Sequence, residues 1–301
     1  MTAEAETTSG RRRAAQKVKT KLRAYSPVGL NWVWPAGLFL CAFFLAPLVE
    51  VGRRSFEASR GAETGFVLSQ YDRLLFDSFY LGVIGETIGL SLVTTIVCVL
   101  IGYPVAYFMV RHAGRWHSVI IFLLITPLLT SIIMRTYGWR VILARRGLVN
   151  ETLMDLGLID APLRWLNSPE AIVIGLVHVL VPFMVLSIAA VLQGIDRSLE
   201  ESARILGASR PRTFWRVTLP LSLDGVGTGA ILVFMLANGS FVTLLLLGGG
   251  TLQTLPLLIY QQFNITRDFA FAAAMSNVLL VLAVACLYLQ LRLIKRRGVI
   301  G

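Results

Sequence analysis

Residue types that carry catalysis are few in this sequence and lie far apart along it. The three histidines, His112, His117 and His178, form no His-Glu-x-x-His zinc motif, and no serine occupies a Gly-x-Ser-x-Gly setting. The chain also lacks a Gly-x-x-x-x-Gly-Lys-Ser/Thr loop, so it cannot bind a nucleotide in the Walker manner. We therefore expect no catalytic residue, no metal site and no cofactor held by this chain. His178 stands alone in an apolar stretch, which favours a packing or hydrogen-bonding role.

A polar segment between two apolar blocks carries the clearest spacing pattern. Glu201 follows Ser198 by three residues, which is the spacing of a capping box and predicts that a helix starts here. Gly207 lies where a left-handed residue would end that helix. Ser209 can cap a second short helix that has proline in its first turn, and Pro220 closes the segment before the next apolar block. The pattern predicts a helix, a glycine turn, a helix and a proline exit.

The same segment carries apolar side chains outside any stretch long enough to span a bilayer. They are Leu199, Ile205, Leu206, Phe214 and Trp215. Such side chains on a short helix can fill a groove of a partner protein. They can also pack on the chain's own helix ends, or lie on the lipid surface as an amphipathic segment. The residues alone put docking only somewhat ahead of the other two interpretations.

The elements that position this segment are predicted to be membrane helices. The chain is 55% hydrophobic and only 15% charged, and its apolar residues form long blocks. A helix of about 20 apolar residues crosses a bilayer core about 30 Å thick. We predict an all-α integral membrane protein whose six spans cover approximately residues 32–51, 82–110, 118–137, 170–193, 225–247 and 269–291. Pro104, Pro127 and Pro182 fall inside three of them, either as packing kinks or beside a lined pathway.

The charge distribution predicts how these spans are oriented. The net charge is +11, and 18 of the 28 Lys and Arg residues fall in alternate gaps, counted from the N-terminus. This positive-inside pattern places both termini and residues 194–224 in the cytoplasm, and it argues against a nucleic-acid surface. We expect a disordered basic tail over residues 1–31, an uncleaved first helix, a permease domain over 32–292 and a C-terminal tail over 293–301. Cys41, Cys98 and Cys286 sit in apolar blocks and have no ligand or disulfide partner at a recognisable spacing.

Residues 201–220 resemble the EAA signature of permease subunits of binding-protein-dependent ABC importers. That signature is Glu-Ala-Ala, a glycine four residues after the last alanine, and Ile-x-Leu-Pro after nine more residues. Here Glu201-Ser202-Ala203, Gly207 and Val217-Thr218-Leu219-Pro220 occupy these places. Ser202 and Val217 are the only departures from the pattern. We call residues 194–224 the coupling loop.

The resemblance implies a type I ABC importer permease fold with six membrane helices in a bacterial inner membrane. It implies that the coupling loop fits a groove of a separate ATPase, with Glu201 holding its cap and Gly207 permitting its turn. The implied partners are two ATPase subunits that bind ATP and Mg²⁺, a second permease subunit that is a paralogue, an external solute-binding protein and lipid. The coupling residues that it assigns are Leu199, Glu200, Glu201, Ser202, Ala203, Leu206, Gly207, Ala208 and Pro220.

Other stretches resemble the polyamine (spermidine/putrescine) branch of that family. They are residues 102–107, 135–139, 147–150, 241–243 and 246–249. Two positions depart from the branch: Ser240 stands where an acidic residue often occurs, and Leu244 replaces a proline. The runner-up class is a secondary transporter or channel without ATP, although the two halves lack the matching broken helices that such proteins often have.

Candidate residues of the solute path are Glu86, Tyr137, Asn238 and Ser240. Glu86 is the clearest acidic residue inside a predicted span, and ionisable residues there usually face a cavity or a partner. Three interpretations stay open for it: contact with a cationic solute, an ion pair with an arginine such as Arg135, or a place at the hydrated rim.

Overall fold

The structure is a computed structural model that describes residues 27–57 and 68–296. Its described helices, labelled here α1 to α14, are Pro27–Leu40, Ala46–Arg54, Ser69–Phe76, Ser78–Arg111, His117–Leu129, Ile132–Ile142, Leu148–Asp155, Pro169–Gly194, Arg197–Ile205, Arg210–Thr213, Leu219–Asn238, Val242–Leu247, Leu255–Gln261 and Phe269–Arg296. No strand occurs within these ranges. Five of the helical runs are long and apolar enough to cross a membrane, and a bent pair makes a sixth if it is counted as one span.

The first predicted span is helical from Pro27, which is earlier than the sequence predicted. Helix α1 continues through a π-helical turn at Cys41–Leu45 into α2, which ends at Arg54. Residues 27–31 therefore belong to a helix and not to the tail, whose remaining predicted part lies outside the described residues. The large apolar side chains of α1 and α2, such as Trp34 and Phe43, are exposed, as suits contact with lipid.

Helices α4, α8 and α11 pack together and form the core of the second unit of the chain. Small residues allow the close approach. A Cβ atom on Gly229 of α11 would lie 2.7 Å from the Met184 sulfur of α8, and one on Gly102 of α4 would lie 2.9 Å from Met184 Cγ. Because lipid tails are as apolar as the helices, such tight packing replaces the hydrophobic effect in joining membrane helices.

Polar side chains buried along α4 bond back to the helix itself. The hydroxyls of Thr87, Ser91 and Thr95 each donate to the carbonyl four residues earlier, at 2.7–2.8 Å. These bonds satisfy groups that would otherwise be costly in an apolar interior. Helix α4 also passes through Pro104 without a break, and α8 passes through Pro182. The second and fourth predicted spans are confirmed, with ends that differ by a few residues.

The third predicted span, expected as one helix over residues 118–137, is broken. Helix α5 ends at Leu129 and α6 begins at Ile132, with an angle of 101° between them. The Thr130 hydroxyl donates to the Pro127 carbonyl at 2.8 Å, and Arg135 donates to the Thr130 carbonyl at 3.1 Å. A proline near the helix end and a side chain that takes over a backbone carbonyl explain the break.

The fifth predicted span, expected over residues 225–247, has different ends. A helical run extends from Arg210 to Asn238 and passes through a π-helical turn at Phe214–Thr218. Pro220 follows that turn near the start of α11, so it is not the exit that the sequence predicted. A proline in the first turn of a helix removes no bond that the helix needs. The helix ends at Asn238, and after three non-helical residues the chain continues as the short helix α12. The sixth predicted span is confirmed as α14.

Candidate functional site

The first helix of the coupling loop, α9, is capped by a different residue from the one predicted. Asp196 is its N-cap, and the Asp196 carboxylate accepts from the Ser198 backbone amide at 2.9 Å. The predicted capping box of Ser198 and Glu201 is therefore wrong by two residues, because Asp is as good a cap as Ser and already precedes the first turn. The hydrogen bond from the Ser198 amide lowers the pKa of Asp196 below its usual range.

The end of α9 has the glycine geometry that the sequence predicted. Gly207 has φ +87°, its amide donates to the Arg204 carbonyl at 2.9 Å, and the Ala208 amide donates to the Ala203 carbonyl at 3.0 Å. This pair of bonds is a Schellman motif, which closes a helix through a left-handed residue. Ser209 lies at the N-cap position of α10 in extended conformation, although its side chain makes no capping bond.

The apolar side chains of the coupling loop divide into two groups. Leu206 is 87% exposed, Ile205 is 85% exposed, and Leu199 and Trp215 are also exposed. Phe214 instead packs edge-on against Tyr103 and Tyr107 of α4, at ring-centroid distances of 5.6 and 5.4 Å. Phe214 therefore holds the loop against α4. Trp215 packs edge-on against Phe214 at 5.7 Å, and Ile205 and Leu206 are the most exposed apolar side chains of the loop.

Glu200 is the buried charge of the coupling loop. It is 6% exposed, and its Oε1 lies 3.0 Å from Nη2 of Arg111, the last residue of α4. The Thr218 hydroxyl also donates to Oε1, at 3.1 Å. A carboxylate in this position must be paired, because burying a lone charge is costly. The sequence showed Arg111 only as one more positive charge in a short turn, so this contact was missed.

The other predicted coupling residues lie on the surface around this pair. Glu201 is exposed and, with Arg197 and Arg204, lines a polar cavity of about 170 Å³ beside Glu200. It takes no part in the helix cap, contrary to the role that the resemblance implied. Ser202 and Pro220 are exposed, whereas Ala203 and Ala208 are half-buried.

A second candidate site is the cavity beside the two helix breaks. It has a volume of about 420 Å³ and is lined by Leu128, Ile132 and Arg135 next to the first break, by residues 239–243 next to the second, and by one face of α8. We call it the helix-break cavity. Discontinuous membrane helices are tolerated where they line a cavity, and they often mark a solute path.

Two residues that line the helix-break cavity carry buried polar atoms without partners. The Arg135 Nε and Nη1 atoms and the Thr243 hydroxyl are buried and have no hydrogen-bond partner in the described chain. Ser240, a predicted path residue, lines the same cavity. The sequence suggested Arg135 only as an ion-pair partner of Glu86 and as part of a short stretch, although its place inside an apolar block was the signal for a functional role.

The remaining predicted path residues lie elsewhere. Glu86 is exposed and accepts from the Gln253 backbone amide at 2.7 Å, and no ion pair joins it to Arg135 in the described residues. Tyr137 is 58% exposed on α6. Asn238 is buried at the end of α11, and its side-chain oxygen has no partner within residues 27–57 and 68–296. His178 accepts a hydrogen bond from Trp139 Nε1 at 2.9 Å, which confirms its hydrogen-bonding role.

Comparison with known proteins now decides the family. Residues 74–298 match the family described as "Binding-protein-dependent transport system inner membrane component". The chain belongs to this family. It is a multi-pass inner-membrane permease component without catalytic activity of its own, as the resemblance of the coupling loop implied.

Several relatives in this family carry names of transport systems. The spermidine/putrescine transport system permease protein PotB of Escherichia coli (strain K12) is 38% identical over 216 residues, which cover 72% of this chain and 78% of PotB. PotB of Haemophilus influenzae is 36% identical over 226 residues, covering 74% and 79%. The putative 2-aminoethylphosphonate transport system permease protein PhnU of Salmonella typhimurium is 26% identical over 262 residues, covering 86% and 91%.

Solved structures of ABC transporters share the fold. A bacterial alginate ABC transporter in complex with an alginate pentasaccharide-bound periplasmic protein has a TM-score of 0.77 at 16% identity, covering 92% of this chain and 96% of that one. The MetNI methionine ABC transporter in an inward-facing conformation has a TM-score of 0.53 at 20% identity, covering 76% and 99%. These likenesses confirm the predicted all-α permease fold.

Proposed function

We propose that this chain forms half of the translocation path of an ATP-binding-cassette importer. A second permease subunit, a paralogue, forms the other half. Two ATPase subunits bind ATP and Mg²⁺ and drive the path through the coupling loop, while an external binding protein delivers the solute. Both termini and the coupling loop lie in the cytoplasm in this arrangement, as the positive-inside pattern favours.

The observation that carries this proposal is the coupling loop. It presents Ile205 and Leu206 to solvent at the end of a helix whose cap, glycine turn and buried ion pair are already formed within the chain. Exposed apolar residues at the end of a fixed helix suit a hydrophobic groove of a partner. Pre-organisation of this kind lowers the entropy cost of docking.

We propose a polyamine or a related amine as the solute. The support is the similarity to the two PotB proteins, whose names give spermidine and putrescine. The replacement of the acidic residue by Ser240, beside the helix-break cavity, distinguishes this chain from the pattern of the polyamine branch. A relative named for 2-aminoethylphosphonate provides the second solute to test, since it is also a small amine.

Copurification tests the docking role. Leu206→Asp places a charge in the proposed apolar contact, and losing a buried leucine costs about 2 kcal/mol, or about thirtyfold in affinity. We expect the tagged variant to lose the ATPase that copurifies with the wild type. The matched control is Leu158→Asp, because Leu158 is 66% exposed outside the coupling loop. Equal ATPase recovery with the Leu206 and wild-type chains would contradict the docking role.

Uptake tests the class of transporter and its solute. Proteoliposomes that contain the complete complex and the binding protein should take up radiolabelled spermidine or putrescine only with ATP inside. ATP-independent uptake by this chain alone would favour the secondary-transporter alternative. Uptake of 2-aminoethylphosphonate without uptake of either polyamine would contradict the polyamine assignment and leave the importer role standing.

A further inference from the structure

A single buried ion pair joins the coupling helix α9 to the ends of all three core helices. Arg111 is the last residue of α4, and its guanidinium donates to Glu200 of α9 through Nε at 3.1 Å and lies 3.0 Å from it through Nη2. Nη2 also donates to the carbonyl of Ile195, the residue that follows α8, at 3.2 Å. Thr218, directly before α11, donates to the same Glu200 oxygen at 3.1 Å.

The importance of this pair differs among the three core helices. Helix α8 is connected to α9 by two residues, Ile195 and Asp196, and α11 begins within the coupling loop at Leu219. Helix α4 has no such covalent connection, because Arg111 and Glu200 are 89 positions apart. Its other contacts with the loop include the packing of Phe214 on Tyr103 and Tyr107, a 3.1 Å bond from Arg197 to the Val110 carbonyl, and a 2.7 Å hydrogen bond between the Tyr103 and Ser222 hydroxyls.

The burial of the pair makes the connection stiff. The Arg111 and Glu200 side chains are only 7% and 8% exposed. Breaking such a pair would leave two charges without compensation in a site that water barely reaches. Displacing α9 therefore moves the end of α4 with it, whereas the apolar contact of Phe214 can slide, since dispersion contacts have no fixed direction.

We infer that Arg111 and Glu200 are positioning residues that transmit movement of the coupling helix to α4. This inference rests on the proposed function, in which an ATPase moves the coupling loop. The ion pair makes α4, α8 and α11 respond together to that movement. Without it, α8 and α11 still follow the loop through the chain, whereas the Arg111 end of α4 follows it only through helix packing and the hydrogen bonds of Val110 and Tyr103.

The test removes the connection while keeping the interior filled. In the double variant Arg111→Leu/Glu200→Leu, two apolar side chains replace the pair, a change that is often neutral for stability. The complete importer is reconstituted in proteoliposomes with its binding protein, and solute uptake and ATP hydrolysis are measured together. We expect normal assembly and continued ATP hydrolysis, with solute transported per ATP lowered by about tenfold.

The control breaks an ion pair elsewhere. Glu50 and Arg53 form an exposed pair on α2, so Glu50→Gln/Arg53→Gln should leave transport per ATP unchanged. A wild-type ratio in the double leucine variant would overturn the inference. If that variant does not assemble, Glu200→Gln decides, because it removes the charge and keeps an oxygen that can accept from Thr218. A lowered transport ratio in an assembled Glu200→Gln complex supports the inference, and an unchanged ratio overturns it.

These outcomes are distinct from failure of the proposed function. If the wild-type complex shows no ATP-dependent uptake, the proposed function fails and the ratio is undefined. If the wild type couples uptake to ATP and the double variant does so equally well, only the role of the ion pair is wrong.

Discussion

The buried charges Glu200 of the coupling loop and Arg135 of the helix-break cavity differ in how many of their polar atoms have hydrogen-bond partners. In the loop, the Glu200 carboxylate accepts hydrogen bonds from Arg111 and Thr218. In the cavity, Arg135 makes one bond to the Thr130 carbonyl, while two of its nitrogens are buried without a partner in the part of the chain that the structure describes. Buried polar groups in native proteins are almost always satisfied. The Arg111–Glu200 pair is therefore satisfied within the chain, whereas Arg135 in the cavity and Asp224 at the end of the loop keep buried polar atoms without a partner among the described residues.

This difference suits two kinds of partner. A docking element gains from being fixed before it meets a groove, since less conformational freedom is lost on binding. A solute path must instead bind and release, so its polar groups are satisfied by what passes through or by the facing subunit. We expect loop variants to change assembly or coupling, and cavity variants to change uptake alone.

The largest effect is expected from Gly207→Val in the coupling loop. Gly207 has φ +87°, and a Cβ atom there would meet no other atom, so the cost is purely one of backbone conformation. A β-branched residue strongly disfavours left-handed geometry, and the helix end should unwind and misplace Leu206. We expect uptake and ATPase association to be abolished while the subunit still inserts in the membrane.

The control for this variant has the same backbone change outside the loop. Gly157 follows α7 with φ +69°, and a Cβ atom there also meets open space. Gly157→Val should keep uptake, which is measured in the same cells. Full uptake in the Gly207→Val cells would refute the docking role of the loop.

A smaller effect is expected from Arg135 in the helix-break cavity. Arg135→Leu removes the donor to the Thr130 carbonyl between α5 and α6. Hydrogen bonds to charged groups contribute about 1.5–3 kcal/mol, so we expect uptake to fall by about tenfold or more. Arg135→Lys keeps a cation and one donor and should lose less. ATPase copurification should be unchanged in both, and its loss would remove the contrast with the coupling loop.

Much of the coupling loop followed from the sequence, because local rules govern it. The positive φ of Gly207 and the proline in the first turn of α10 depend on nearby residues alone. The predicted N-cap was wrong by two residues, because two good capping residues, Asp196 and Ser198, lie close together and local rules cannot rank them.

The buried polar contacts could not be predicted, since they join distant parts of the chain. Arg111 meets Glu200 across 89 positions, and Glu86 meets the Gln253 amide across 167. The break after Leu129 was also missed, because an apolar block of sufficient length resembles one straight span. Periodicity and length predict that helices exist, whereas their breaks depend on side-chain bonds such as that of Thr130.

A still smaller effect on uptake is expected from Glu86, which was predicted as a residue of the solute path. Its carboxylate holds the Gln253 backbone amide, so it fastens a loop and does not line the helix-break cavity. Glu86→Gln keeps an accepting oxygen and should leave uptake within about twofold of the wild type, whereas Glu86→Ala should lower protein stability by about 1 kcal/mol. Uptake kinetics and thermal unfolding in detergent measure the two effects. A large fall in uptake by Glu86→Gln, with stability unchanged, would restore the solute-contact hypothesis.

The smallest effect is expected from the helix cap at Asp196, and it depends on pH. The hydrogen bond from the Ser198 amide favours the charged carboxylate and holds the pKa of Asp196 below its usual range. The contribution of the charged Asp196 carboxylate to the free energy of unfolding is therefore fully present above the unfolded pKa of about 3.9. This contribution is lost as the pH falls through the lower folded pKa. Asp196→Asn keeps a cap that does not titrate, so its stability deficit at pH 7 should shrink as the pH falls below about 4. Thermal unfolding of the purified subunit from pH 7 to pH 3 measures this difference, with Asp196→Ala as the variant that loses the cap at every pH. A deficit of Asp196→Asn that is constant over the whole range would show that the carboxylate charge does not stabilise the coupling helix.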